Sequence, residues 1–458
     1  MNNDGQFIQS ENYSVIGYSP KNILSITIPV LLTMLSTNLM FMVDRFMLAG
    51  YSLNAMNASA ISGNFVYIFT YMLIGIASSA EIYVGQHNGA RQYDRLATPV
   101  WQMIYMSLLS VIFLIPLGYF SDYVHTLPHY CVDDGIAYQR PLLYFGFLPS
   151  VISAISAFFI GQGKSKIVTI VVSLGTLLNI LLDYLLIYGY GHIIPSLGCS
   201  GAAFATVIAE LVQVVILAAA FFSKRNRDIH STWKNRKFSG EIFSKCIKVG
   251  APISAGHVVA FIAWYIVQVI VSHVSSQQAT IYNIGLNIYV FFLFVGEGLN
   301  RAIAAITANM IGRKDLKSIR ETYKFFLIIS FVISGVISIP LMIFPDVILN
   351  YITSWKSDIA HLYSELKFML YLVVVDSTLE TIMLVIWGVL MAGGDTRYPA
   401  ILSQFFYWTL VLLPTFICNK LGKLTGVSIY EFTMVWLVIC LIFFQRRFNS
   451  LKWYTKLV

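Results

Sequence analysis

Apolar positions along this chain fall into long, nearly unbroken runs separated by short polar connections. A helix needs about 20 such residues to cross roughly 30 Å of hydrocarbon. A membrane barrel would instead give short alternating segments, and that alternation is not the pattern here. Read as helices, the runs predict twelve membrane spans, at about 22–48, 58–84, 98–120, 138–161, 167–188, 200–222, 249–272, 279–308, 325–346, 361–391, 399–418 and 428–445. The fold class expected is therefore an all-α integral membrane protein of twelve transmembrane helices.

The pattern occurs twice. Read 223 residues later and without a gap, Pro29 becomes Pro252, Asn64 becomes Asn287, Gly75 becomes Gly298 and Gly89 becomes Gly312. Ile61/Ile284 and Phe69/Phe292 also match, and each copy ends in a basic turn (Arg91, Arg95; Arg313, Lys314, Lys317). The repeat continues into Gly161-Gln-Gly-Lys-Ser-Lys166 and Ala392-Gly-Gly-Asp-Thr-Arg397, which close the fourth span of each half. Both halves thus run in the same orientation, as two pseudo-symmetric six-helix lobes related by an axis along the membrane normal. One difference carries the most weight: the first copy has Asp44 inside its first span, where the second has Val267.

Composition strengthens the membrane reading. The chain is 57% hydrophobic and only 11% charged, against about 25% charged in soluble domains. Its net charge of +8 gathers in alternate connections, the positive-inside pattern, so no nucleic-acid partner is expected. Only Lys356, Lys420 and Lys423 fall in predicted outer loops. The longest basic connection, 223–245, carries Lys224, Arg225, Arg227, Lys234, Arg236 and Lys237 at the repeat boundary. This divides the chain into an N-terminal lobe (1–222), a cytoplasmic linker (223–245) and a C-terminal lobe (246–458), with both termini cytoplasmic. The first 21 residues are polar and mixed in charge, so no cleavable signal is expected. Five cysteines are scattered without metal-type spacing; Cys131 and Cys199 are the one pair that the topology puts on the same, outer side.

Intramembrane carboxylates cost at least about 2.5–3.5 kcal/mol to insert, which makes them functional candidates, with structural pairing as the alternative. Asp44 lies near the outer end of span 1; its neighbour Arg45 points about 100° away and is expected to snorkel outward. Asn179 and Asp183 share one face of span 5, an amide oxygen and a carboxylate suited to a hard cation or a proton. Thr206 lies in the GAAFAT stretch of span 6, where small residues allow close helix approach, although a mid-helix Thr is more often back-bonded to its own helix. Pro29 removes one backbone hydrogen bond and is the natural flexible point of span 1. Glu297 and Arg301 are spaced to neutralise each other. Glu81 and Glu210 have no evident partner in the sequence, and His257 is read as a cavity-wall residue. His125, His129, Cys131 and Asp133 look like metal ligands, but Pro128 breaks their spacing and a solvated loop is the better reading. There is no nucleophile elbow, phosphate-cradling glycine loop or HExxH.

Pro29 fifteen residues before Asp44, GQHNGA after span 2, NILLD in span 5, GAAFAT in span 6 and GGDTRYP after span 10 together resemble the multidrug and toxic compound extrusion (MATE) family. The likeness covers nearly the whole chain and is to the DinF-like prokaryotic branch. It implies a cation site of Asp44, Asn179, Asp183 and Thr206 in the N-terminal lobe, holding H⁺ or Na⁺ and no other metal. The NorM-like branch would add a Glu in span 7 and an acid in span 10. Here the span 7 position is Ala260, while Glu380 lies where the span 10 acid belongs, with Asp376 one turn away; these two acids are read as substrate contacts.

The function expected is a non-enzymatic secondary active efflux antiporter, exchanging H⁺ or Na⁺ for organic cations or other amphipathic compounds by alternating access. It would act as a monomer in a bacterial inner membrane, with lipids as its surroundings, no cofactor beyond the coupling ion, and drug resistance as a consequence. Two alternatives are a lipid-linked sugar flippase of the same superfamily, which needs a basic central cavity, and an intramembrane enzyme such as an acyltransferase.

Overall fold

The computed structural model describes residues 19–123, 132–191, 193–347, 349–350 and 363–454. Among these, eleven helical stretches are long and apolar enough to cross a bilayer, and a bent pair makes a twelfth. The N-terminal half contains α1 (Pro20–Tyr51), α2 (Leu53–Gly89), α3 (Ala97–Leu109), α4 (Val111–Tyr119), α5 (Val132–Tyr144), α6 (Leu148–Ile160), α7 (Ser165–Tyr188) and α8 (Gly198–Phe221). A short α9 (Lys224–His230) precedes the second half: α10 (Gly240–Val274), α11 (Ser276–Gly312), α12 (Leu316–Ile343), α13 (Tyr363–Ala392), α14 (Arg397–Tyr407), α15 (Leu413–Lys420) and α16 (Ser428–Asn449).

Several predicted boundaries move, each for a local reason. The turn expected before residue 58 shrinks to Ser52, whose Oγ accepts from the Asn54 and Ala55 amides and starts α2 at once. Its repeat partner Ser275 caps α11 through the Gln278 amide in the same way. Span 3 breaks at Ser110, between α3 and α4. Span 4 bends by 41° between α5 and α6. Span 11 contains a π-turn over Trp408–Leu412 just before Pro414, a local loosening that accommodates the missing proline N–H.

The basic connection is folded rather than open. Its last residues belong to α10, because Ser239 Oγ accepts from the Ile242 amide and Glu241 lies in the first turn. The rest is stapled to α3. Trp101 Nε1 donates to the Thr232 carbonyl at 2.7 Å, and Gln102 both donates to the Lys237 carbonyl and accepts from the Ser239 amide. Cys131, His125, His129 and Lys356 lie outside the described residues, and so do the loop residues around them; Cys199 itself is buried, with Sγ 3.6 Å from the Ala55 carbonyl.

The two halves meet most closely at the end that carries the basic turns. A methyl on Gly89 would overlap the Asn309 carbonyl, and one on Gly312 would overlap the Gln86 carbonyl. Only glycine permits that backbone approach. Higher up, Gly75 packs on Ser254, Gly250 on the Ile76 backbone and Gly298 on Leu31, and Ser254 Oγ donates to the Met72 carbonyl at 2.8 Å. Asn64 shares a helix face with Tyr71 and Gly75, and Asn287 shares one with Gly298. Both amides are exposed. They lie on the parts of α2 and α11 away from the basic turns.

Candidate cation site

α1, α7 and α8 bring the four predicted residues together, and close packing is the reason. On α8, Gly201 lies against the Leu186 backbone, where a Cβ would come within 2.5 Å of the carbonyl oxygen. That contact draws Thr206 onto Asn179, whose Nδ2 is 3.4 Å from Thr206 Oγ1. At the far end of α1, Tyr188 donates to the Met47 carbonyl at 2.6 Å and tethers α1 to α7. Asp44 is thereby held beside the same hydroxyl, with Thr206 Oγ1 donating to Asp44 Oδ2 at 3.4 Å. Thr206 Oγ1 also lies 3.2 Å from the Ala202 carbonyl of its own helix, so its one proton is shared between that carbonyl and Asp44.

All four side chains are buried. Asp183 lies beside Asp44, yet both of its oxygens, Oδ1 of Asp44 and Oδ1 of Asn179 have no hydrogen-bond partner. Unpartnered buried polar oxygens are costly. Two carboxylates side by side repel unless a proton or a cation lies between them. The donor set, two carboxylates with an amide and a hydroxyl oxygen, fits either a shared proton or a small hard cation. Arg45 is exposed, as snorkelling requires. The matching place in the second lobe holds Val267, fully buried among apolar neighbours.

Three neighbours were not singled out in the sequence as part of this site. Glu210, one turn along α8 from Thr206, and the phenols of Tyr67 and Tyr138 all lie within electrostatic range of Asp44. The spacing of Glu210 from Thr206 carried a signal for it; the tyrosines come from α2 and α5, and nothing local links them to Asp44.

The expected Glu297–Arg301 pair is corrected. Arg301 Nε instead donates to Glu81 Oε2 at 2.9 Å, from α11 to α2, across the boundary between the halves. Glu297 keeps only longer-range attraction to Arg301 and His257. An i,i+4 spacing permits a pair, but Glu81 is buried and a carboxylate there needs a direct partner. Asp376 and Glu380 are both buried inside the second lobe on α13, near Tyr430 and Tyr407 respectively.

Two membrane-embedded lobes, with a buried acidic cluster in the first, make a build suited to transport. The family model described as MatE matches residues 29–185 and 252–417, once in each half, and the chain belongs to the MatE family. It is 22% identical over 412 residues to a probable multidrug resistance protein NorM of Thermotoga maritima, covering 88% of this chain and 86% of that one. It is 23% identical to a probable multidrug resistance protein YoeA of Bacillus subtilis, covering 81% of each. A MATE protein solved in the straight conformation superposes with a TM-score of 0.86 at 19% identity, covering 97% of this chain and 99% of that one.

Proposed function

We propose that this protein is a secondary active antiporter that exports small cationic or amphipathic compounds in exchange for inward-moving H⁺ or Na⁺. It works in a bacterial inner membrane with both termini cytoplasmic, so the basic end faces the cytoplasm. The observation that carries the reading is the packing of buried, unpartnered carboxylate oxygens of Asp44 and Asp183 against Asn179 and Thr206; the second lobe has Val267 at the Asp44 position, and its own unpartnered acids, Asp376 and Glu380, lie elsewhere, on α13. The relatives named for multidrug resistance support the substrate class.

Linkage supplies the mechanism. An ion taken up from outside relieves the repulsion between Asp44 and Asp183 and so favours whichever lobe geometry holds both acids against Asn179 and Thr206. A cleft between the lobes, lined on this reading by the exposed amides of Asn64 and Asn287 and open to the outside, loses affinity for its organic cargo as that geometry forms. Release of the ion toward the cytoplasm restores the other geometry. A sugar flippase would need a basic cavity, whereas Arg301 is neutralised by Glu81.

The test is dye transport in vesicles containing only this protein, under a proton gradient alone and then a sodium gradient alone. At least one gradient should drive dye against its concentration. Movement driven by neither would contradict antiport.

A further inference from the structure

Between the cation site and the basic end, α1 and α7 are joined by hydroxyls. Thr176 donates to the Ser36 carbonyl at 3.3 Å, Ser36 and Ser173 meet at 3.1 Å, and Ser165 donates to the Ile26 carbonyl at 3.1 Å. In the middle of the series, Thr33 and Thr169 lie 2.9 Å apart, and both reach the carbonyl of Pro29, at 2.9 and 2.6 Å. Each hydroxyl has one proton; Thr169 Oγ1 also lies 3.2 Å from the Ser165 carbonyl of its own helix, and its shorter bond is the one that crosses to Pro29. The Pro29 carbonyl belongs to the one residue inside α1 that cannot donate a backbone hydrogen bond. The helix nevertheless runs unbroken from Pro20 to Tyr51.

The second lobe serves as an internal control. The repeat that sets Pro29 on Pro252 sets Thr33 on Gly256. The alignment of Gly161 with Ala392 sets Thr169 on Ala400. The two helices pack at the same place there, since a methyl on Gly256 would lie 3.4 Å from the Ala400 Cβ. The packing is thus shared by both lobes, while the hydroxyls of Thr33 and Thr169 have no counterpart at the matching positions of the second lobe. Helix contact alone does not require them.

We propose that Thr33 and Thr169 are positioning residues that clamp the Pro29 carbonyl, hold α1 straight against α7, and release it when occupancy at Asp44 changes. This rests on the coupling role proposed for Asp44. A threonine hydroxyl suits the task because its hydrogen bond contributes only about a fivefold bias, enough to set a population and weak enough to be overcome in each cycle.

The experiment places spin labels at the exposed positions Lys21 on α1 and Lys166 on α7, in the full-length protein in lipid nanodiscs. Distances are recorded across pH and across sodium concentration. Wild type should show a main distance whose population responds to the coupling ion. Thr169→Val, which keeps the shape and removes the hydroxyl, should shift that population about fivefold at every ion concentration. Thr169→Ser should restore the wild-type distribution. Should Thr169→Val fail to fold, the pair Thr33→Gly and Thr169→Ala carries the test, since the second lobe packs with those side chains. An unchanged distribution in the folded variant, or a wild-type distance that ignores both ions, overturns the clamp. The outcome is separable from the coupling reading: Asp44→Asn can lose coupling while Thr169→Val leaves α1 in place, or the reverse.

Discussion

Gln86 and Asn309 make the same hydrogen bond in opposite directions across the lobe boundary. Gln86 Nε2 on α2 donates to the Ala392 carbonyl in the second half, and Asn309 Nδ2 on α11 donates to the Gly161 carbonyl in the first, both at 2.7 Å. The residues are repeat partners, and so are the two carbonyls. Asn88 adds a third bond to Asn309 Oδ1 at 2.6 Å. Beside them, Gly89 and Gly312 let the two backbones touch. The pseudo-two-fold axis therefore passes through these contacts, a latch that the proposed alternating access would have to open.

Gly312→Ala should hold the latch open, because its methyl overlaps the Gln86 carbonyl and overpacking costs about 1–3 kcal/mol. Gly89→Ala should do the same from the other side. A cysteine placed in the cleft should react faster with a thiol reagent supplied from the cytoplasmic side, and dye efflux should fall. If reactivity and efflux both match wild type, the contact is not a gate.

Glu81 and Arg301 join the lobes a little farther from the basic end. Removing one partner of such a pair leaves a poorly solvated charge, about 3–5 kcal/mol in a fully buried setting and less here because the Arg301 side chain is 21% exposed. Arg301→Ala should therefore lower thermal stability more than Glu81→Gln combined with Arg301→Ala. A double mutant less stable than either single one would show that the charges do not act as a pair.

His230 in α9 links the folded connection to acid stability. Its ring packs on Phe158 and Tyr93, with Nδ1 3.2 Å from the Tyr93 carbonyl. Burial, helped by the Lys164 charge, pushes its pKa from 6.5 down to about 4. The unfolded chain thus takes up a proton before the folded one does. Stability from neutral His230 is complete above about pH 6.5 and declines as pH falls through that value toward about 4. His230→Gln should flatten the fall in Tm between these pH values. An identical slope in the variant would remove His230 as the cause.

Much of this was legible in the sequence, and the reasons differ by feature. Twelve apolar runs and a gapless repeat fixed the lobes because bilayer thickness leaves helices few choices of length. Asp44, Asn179, Asp183 and Thr206 were legible because acids are rare in such runs and the spacing on α7 sets two of them on one face. Arg301 was misassigned, since a local partner at i,i+4 is visible in a sequence and Glu81, 220 positions away, is not. The latch was within reach, because the offset that pairs Gly89 with Gly312 also pairs Gln86 with Asn309. Amides read as ordinary surface residues until the helices are brought together. The break at Ser110 lies inside an apolar run, where hydropathy carries no boundary, whereas Gly146 and Pro149 at the α5–α6 bend were signals that hydropathy alone passes over.

On the proposed reading, Asp44 and Asp183 form one coupling site with Thr206. The most direct measurement is dye efflux from vesicles under the driving gradient, compared for Asp44→Asn, Asp183→Asn and the double variant, each with its ion affinity measured on the same preparation. Asn keeps the shape of Asp without its charge, so all three should remain folded and inserted. Coupled efflux should be lost in Asp44→Asn, and the double variant should be no worse than the poorer single one, as expected for residues that act on one ion. Wild-type efflux by Asp44→Asn, or losses in ion affinity that multiply in the double variant, would contradict the site.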